Sequence, residues 1–251
     1  MIFVKKVLLY LVVLWLLSCN SEGSNDCVKL AGDVVSREAG VTSFSAITVG
    51  EGVRMVIRED EEFSVVVETG KNLLDDIGVE VREGRLLLSN RATCNFFREY
   101  DNTVVYVSAP DITEIRSSTQ FDIRSEGILT YPSLRIVSED FGTDYNNTGD
   151  FYLHLENSSI SILFNNLSNC YLEGSTEKLD IYLAAGNSRV EAADLPADEV
   201  SFYHRSSNDI IVNPVRSLEG DIYSTGNVIA VNRPEQTEVH AHYRGELLFG
   251  E

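Results

Sequence analysis

The chain has 251 residues, and its 39 acidic and 20 basic side chains give a formal net charge of −19 at pH 7. Such an acidic composition argues against a nucleic-acid partner, because phosphate backbones are bound through Lys and Arg. The charge instead favours an exposed, self-repelling surface, on a chain long enough for one sizeable core or two small ones.

The first 18 residues have the pattern of a secretory signal peptide. Lys5 and Lys6 precede an apolar run at 7–17, which is shorter than the roughly 20 residues that a membrane span needs. Residues 16–19, Leu-Leu-Ser-Cys, resemble a bacterial lipobox, in which the cysteine is acylated and becomes the mature N-terminus. The alternative is an ordinary signal peptide with a chance cysteine.

We therefore predict lipidation of Cys19 and attachment to a membrane through its acyl chains. The predicted location is the cell envelope of a Gram-negative bacterium, on the surface or the periplasmic face of the outer membrane. Residues 19–40 are expected to form a lipid-anchored tether and the lead-in to the folded domain.

Three further cysteines follow Cys19 in the sequence. An envelope location permits disulfides, and we predict a bridge between Cys27 and Cys94, which would fix the start of the fold. Cys170 lies far from both and is expected to be a free, buried, small apolar residue. The chain has no CxxC pair, so we predict neither a zinc site nor a redox site.

Short segments of alternating apolar and polar residues dominate the rest of the chain, which is typical of strands with one buried face. Only residues 70–81 predict a helix, and that helix is a single turn. The earlier strands are VRMVI at 53–57, FSVVV at 63–67, RLLL at 85–88 and VVYV at 104–107. Later strands alternate around Leu153 and Leu155, Ile160 and Ile162, Leu179 and Ile181, Val200 and Phe202, Ile210 and Val212, and Val228 and Ala230.

Small polar corners recur between the later strands, at 156–159, 185–188, 205–208 and 224–227. A repeat of roughly 20 residues with such corners indicates stacked windings that bury one continuous core. The sequence therefore predicts an all-β fold, a parallel β-helix over 41–234 with coils of roughly 20 residues. Residues 235–251 would form a C-terminal capping tail. A β-sandwich is the alternative, but the chain has no Asn-Gly or Asp-Gly hairpin signal.

Four segments resemble a known lipoprotein family, the putative autotransporter adhesins with a head GIN domain. They are FSAITVGEGVRMVI at 44–57, VVVETGKNLLDDIGVEVREGRLLLSN at 65–90, CNFFREYDNTVVYVSAP at 94–110 and YSTGNVIAVNRP at 223–234. The resemblance implies a right-handed parallel β-helix. It implies adhesion only through the name of the family.

Candidate binding residues are Tyr182 and Tyr203, which alternation places on the outer face of the sheet. Exposed tyrosines can stack on sugar rings or anchor a protein partner, although they can also be cross-strand pairs that only steady the sheet. Two metal hypotheses, at His240 with His242 and in the acidic loop 138–150, are disfavoured because ligand number and spacing do not fit. We predict no metal and no cofactor.

The predicted function is a non-catalytic, adhesin-like binding module that presents an extended face to a glycan or a protein. One alternative is a carbohydrate-active β-helix enzyme, a polysaccharide lyase or hydrolase, which would need carboxylates gathered on one face. Outward acidic residues such as Asp180, Glu191 and Asp209 are plentiful, but basic residues near them are few, so we predict no catalytic residue. The other alternative is a structural or signalling envelope component.

Overall fold

A computed structural model describes residues 29–92, 103–142 and 148–250. These residues form one sheet of 17 strands, with a single 3-10 turn, Leu74–Asp76, where the sequence predicts a helical turn. The prediction of an all-β fold is confirmed. The signal peptide at 1–18, the lipidated Cys19 and the proposed Cys27–Cys94 bridge lie outside the described residues. Within those residues, no helix has the length and apolarity that crossing a membrane requires.

The first ten strands are short. They are β1 (Val34–Ala39), β2 (Ala46–Val49), β3 (Arg54–Glu59), β4 (Ser64–Gly70), β5 (Ile77–Arg82), β6 (Arg85–Asn90), β7 (Val104–Ala109), β8 (Glu114–Ser117), β9 (Ile123–Leu129) and β10 (Ser133–Ser138). The remaining strands, of which the first four are long, are seven in number. They are β11 (Phe151–Phe164), β12 (Cys170–Leu183), β13 (Val190–His204), β14 (Ile210–Ile222), β15 (Val228–Ala230), β16 (Gln236–Ala241) and β17 (Leu247–Phe249).

The sheet is mixed, which differs from the predicted parallel β-helix. Strand β4 pairs antiparallel with both β1 and β7, and β5 pairs antiparallel with β6. The β5–β6 hairpin turns at Glu83 and Gly84, whose φ angles of 50° and 74° are both positive, as a tight hairpin of type I′ requires. A Glu-Gly dipeptide therefore forms the tight turn for which Asn-Gly or Asp-Gly is the usual sequence. The absence of those two dipeptides does not exclude a hairpin in this chain.

The later strands pair in parallel at a regular spacing. Phe151 lies opposite Cys170, Cys170 opposite Val190, Val190 opposite Ile210, and Ile210 opposite Val228. Strands β16 and β17, in the predicted tail, pair in parallel with β14 and β15. The steps between partners agree with the predicted spacing of roughly 20 residues.

One continuous core fills the interior, because alternate side chains of each long strand point inward. The row that starts at Phe151 continues through Cys170, Val190, Ile210 and Val228, and each of these residues is fully buried. Cys170 is free and buried, as predicted. Burial raises the pKa of its thiol, which keeps that thiol protonated and unreactive at neutral pH.

A ladder of side-chain oxygens satisfies backbone N–H groups at one corner of the later windings. Asp150 Oδ1 accepts a hydrogen bond from the backbone N–H of Asn169 at 2.8 Å. Asn169 Oδ1 in turn accepts one from the backbone N–H of Arg189, on the next winding, at 3.2 Å. The arrangement repeats further along the chain, where Asp209 Oδ1 accepts from the N–H of Asn227 at 2.8 Å and Asn227 Oδ1 accepts from the N–H of Glu246 at 3.1 Å. Asn and Asp recur at this corner because their short side chains reach neighbouring backbone groups.

Candidate functional site

A groove of about 440 Å³ crosses β9, β11, β12 and β13 on one outer face of the sheet. We call it the bulge groove. Each of these four strands contributes three residues to its lining. They are Arg124, Ser125, Gly127, Tyr152, Leu153, His154, Tyr171, Leu172, Glu173, Glu191, Ala193 and Asp194.

The groove exists because the strands slip out of register at this point. Tyr152 lies opposite Arg124, but His154 lies opposite Ile128, so β9 carries extra residues there. The register between β12 and β13 also shifts, between Tyr171 and Glu173. Bulges bend a strand and re-aim its side chains. The lining includes two small residues, Gly127 and Ala193, and a Cβ atom added to Gly127 would meet no atom within 4 Å.

Two tyrosines form one wall of the groove. The rings of Tyr152 and Tyr171 stack with centroids 4.7 Å apart and planes 5° apart. The guanidinium carbon of Arg124 lies 3.9 Å from the centroid of the Tyr152 ring, so a cation covers the outer end of the pair. Burial, reinforced by Asp150, raises the pKa of both phenols. Both hydroxyls therefore stay protonated at neutral pH and can donate a hydrogen bond.

The three carboxylates of the groove differ in how strongly other side chains of the protein bind them. Glu191 is held by the Arg189 guanidinium, with 2.5 Å between Oε1 and Nη2. Glu173 has one long contact, 3.6 Å from its Oε1 to Nδ1 of His154, and its side chain is 65% exposed. Asp194 is exposed, and no residue in the described part of the chain donates a hydrogen bond to its carboxylate or forms an ion pair with it. The groove therefore offers acceptor oxygens that the protein itself leaves largely unused.

The predicted tyrosines lie on a different part of the surface. Tyr182 and Tyr203 are direct cross-strand partners, and their rings stack at 4.6 Å and 10°. Tyr223 extends the row at 5.1 Å, and His242 stacks on Tyr223 at 4.3 Å. We call these four residues the tyrosine ladder. A second groove, of about 390 Å³, lies beside it.

Stacking leaves little ring face for a ligand on the tyrosine ladder. Both faces of Tyr203 are covered, one by Tyr182 and the other by Tyr223. Ring edges and hydroxyls remain accessible, and Tyr182 is 43% exposed. This geometry fits cross-strand pairs that steady the sheet better than a platform on which sugar rings stack. Asp221, which lies 2.6 Å from Nε2 of His242, orients the last ring of the ladder.

Sequence reasoning misses the bulge groove, although the sequence does carry one signal for it. Tyr152 and Tyr171 occupy the second position of two strands that pair in register from end to end, in FYLHL and CYLEG. The same alternation that selects Tyr182 and Tyr203 would have selected them. Arg124 gives no such signal, because the bulge between it and Ile128 breaks the spacing.

Metal binding finds no support in the described residues, where no group of three His, Cys, Asp or Glu side chains is arranged to hold an ion. His240 lies 3.6 Å from Glu238, and His242 is engaged by Asp221. Part of the acidic loop 138–150, residues 143–147, lies outside the described residues.

A sequence profile of the family described as "Putative auto-transporter adhesin, head GIN domain" matches residues 43–234. The chain belongs to this family. The resemblance predicted from the sequence is confirmed, and membership in the head GIN family favours a location in the cell envelope or at the cell surface. No curated protein sequence matches the chain.

Solved structures share the fold of this head GIN protein. A putative adhesin from Bacteroides fragilis is 17% identical, has a TM-score of 0.78, and is matched over 88% of this chain and 100% of its own. A putative adhesin from Parabacteroides merdae is 15% identical and has a TM-score of 0.64, and the match covers 90% of this chain and 100% of its own. A structure from Parabacteroides distasonis, described as a putative lipid binding protein, is 14% identical and has a TM-score of 0.58. The match covers 88% of this chain and 98% of its own. At these identities the likeness shows the fold alone.

Proposed function

We propose that this protein is a non-catalytic binding module of the cell envelope, and that the bulge groove contacts a neutral glycan. The observation that carries the proposal is the unpaired Asp194 carboxylate, which lies opposite Glu173 and lines the same groove as Tyr171. Carboxylate oxygens accept hydrogen bonds from sugar hydroxyls, and a phenol can donate one in return. The net charge of −19 repels uronic acids, which carry the same sign of charge.

The fold supports this proposal by giving the groove a rigid frame. We propose that the parallel strands from β8 onward wind as a right-handed parallel β-helix, with coils of about 20 residues. The in-register pairing of β11 with β12 over their whole length supports it. Stacked windings hold outward side chains at fixed positions, so the groove is organised before a ligand arrives.

Asp194→Asn tests the groove. We expect this change to weaken the affinity for a bound neutral oligosaccharide by about 10-fold or more, because a hydrogen bond to a charged group contributes roughly 1.5–3 kcal/mol. The full-length protein would be screened on an array of neutral and uronate glycans, and the best binder titrated by calorimetry. Asp180→Asn, an isosteric change in the second groove, is the matched control and should bind as the wild type does.

The glycan proposal fails if no neutral glycan binds, or if Asp180→Asn weakens binding as much as Asp194→Asn. A preference for uronates would also overturn it. Binding to a purified envelope protein in place of glycans would favour the structural or signalling role.

Lipidation of Cys19 is the second part of the proposal. Cys19→Ala is expected to move the protein from the membrane fraction to the soluble fraction, because the acyl chains supply the anchor. The measurement is fractionation of cells with immunodetection, and Cys27→Ala is the matched control that should stay with membranes. A Cys19→Ala variant that still sediments with membranes would show that another feature anchors the protein.

A carbohydrate-active enzyme is the second candidate, because the bulge groove gathers Glu173, Glu191 and Asp194 with His154. Glycoside hydrolysis needs one carboxyl group that is protonated near neutral pH and another that is ionised. The exposure of Glu173 and the ion pair of Glu191 with Arg189 favour binding over this chemistry. Release of reducing ends from a polysaccharide, lost in both Glu173→Gln and Asp194→Asn, would establish the enzyme instead.

A further inference from the structure

His204 occupies an inward position in the core that its neighbours fill with apolar side chains. Leu183 and Ile222 are its cross-strand partners on β12 and β14, and Phe164 is the partner of Leu183. The side chains of Phe164, Leu183, His204 and Ile222 are all fully buried. This row therefore contains one imidazole among aliphatic and aromatic groups.

The His204 ring makes no well-formed hydrogen bond in this position. Both Nδ1 and Nε2 are buried, and neither has a partner at hydrogen-bonding distance and angle among the residues that the structure describes, although backbone groups of Asn208, Gly226 and Asn227 lie near the ring. The ring is also tightly packed, since a Cβ atom on Gly226 would lie only 2.7 Å from Nε2. Leaving a buried polar group without a well-formed hydrogen bond destabilises the folded state. A leucine in the same row would avoid that destabilisation.

The surroundings of His204 oppose a positive charge on the ring. Strands β12 and β14 present Leu183 and Ile222 to it. Four groups at the two adjoining corners favour a charged ring: the carboxylate of Asp209 through its charge, and the backbone of Asn208, Gly226 and Asn227 as loose hydrogen-bond partners. Burial outweighs these favourable groups and lowers the pKa of His204 to about 4.

We propose that His204 is a pH-sensitive switch: its neutral ring stabilises the pairing of the last windings of the sheet at neutral pH, and its protonation separates them as the pH falls. A neutral ring packs between β12 and β14. A protonated ring is stable only in water, so proton uptake accompanies separation of β13 from β14 and from the corner at 223–227. The proposal is independent of what the bulge groove binds.

The pH range follows from the two protonation states. An exposed histidine has a pKa near 6.5, and the folded ring has one of about 4. Above about pH 6.5 neither form is protonated, and the neutral packing contributes fully to stability. As the pH falls from 6.5 towards 4, only the opened form binds the proton, so stability is lost progressively over that interval.

Opening at this point would also take apart the tyrosine ladder. Tyr203 precedes His204 on β13, and Tyr223 follows Ile222 at the end of β14. Their rings are 5.1 Å apart only while β13 and β14 stay paired. Strands β16 and β17 depend in turn on β14 and β15, so the tail would be released with them.

The test compares wild-type full-length protein with His204→Leu by hydrogen exchange, each at pH 7.5 and pH 5. Intrinsic exchange rates cancel when the two proteins are compared at one pH. Between the two pH values, the opening equilibrium of residues 205–249 should rise about 30-fold more in the wild type, because only its opened form gains a proton. Residues 151–164 should show no such difference. His240→Gln, whose side chain is 63% exposed, is the matched control and should behave as the wild type.

Equal pH dependence in wild type and His204→Leu would overturn the proposal. His204→Gln, which is polar and cannot be protonated, decides the question if the leucine variant does not fold. Independently, NMR titration of the wild-type imidazoles should show that the His204 ring stays neutral at pH 5 in the folded protein. A His204 ring that titrates near 6.5 in the folded protein would also overturn the proposal.

Discussion

Phe164→Ala is expected to lower the free energy of unfolding by about 4 kcal/mol, since truncating a buried phenylalanine removes apolar burial and leaves a cavity. Phe164 is fully buried at the end of β11, between Ser138 on β10 and Leu183 on β12. Its ring also stacks on Phe151, with centroids 5.4 Å apart. Each winding contacts only its neighbours, so the core has few ways to fill the gap.

Urea denaturation followed by far-ultraviolet circular dichroism would measure this loss. Tyr182→Ala is the matched control, because it removes an aromatic side chain of similar size from an outward position of β12. Tyr182 is 43% exposed and has one stacked partner, so about 1 kcal/mol is expected. Equal losses in the two variants would mean that the inward and outward faces have been assigned incorrectly.

The later strands could be predicted from sequence because their signal is local and repeated. Alternation identifies the inward residues of β11 to β14, and corner residues recur at nearly constant spacing, so both the strands and their parallel pairing follow. The antiparallel pairing of β4 with β1 and β7 has no comparable signal. Those partners are joined by segments of different length, and nothing in the alternation of one strand specifies which strand lies beside it.

The candidate site illustrates the same limit. Tyr182 and Tyr203 could be placed together because they sit at equivalent points of consecutive windings. The bulge groove could not be predicted, because it depends on extra residues between Arg124 and Ile128 and on a further shift between Tyr171 and Glu173. A bulge is defined by the pairing of two strands, and it becomes visible only when both are placed side by side.

Gly186→Ala is expected to lower the free energy of unfolding by about 3 kcal/mol, which combines the strain of a left-handed backbone with overpacking. Gly186 has φ of +87° at a corner between windings, and a Cβ atom there would come within clashing distance of the carbonyl oxygen of Asn166. That oxygen also accepts the N–H of Asn187 at 2.7 Å. Relieving the clash would therefore weaken a hydrogen bond that ties two windings together.

Two other glycines separate the causes of this loss. Gly84 has a similar φ of +74°, but a Cβ atom added there would meet no atom within 4 Å, so Gly84→Ala should show only the strain, about 1–2 kcal/mol. Gly142 has open space and an ordinary φ, so Gly142→Ala should change stability by less than about 0.5 kcal/mol. Urea denaturation of the three variants would rank their losses in the free energy of unfolding. If Gly186→Ala were no more destabilising than Gly84→Ala, the close approach of Gly186 to Asn166 would not exist in solution, and the corners would be more loosely packed than the windings they join.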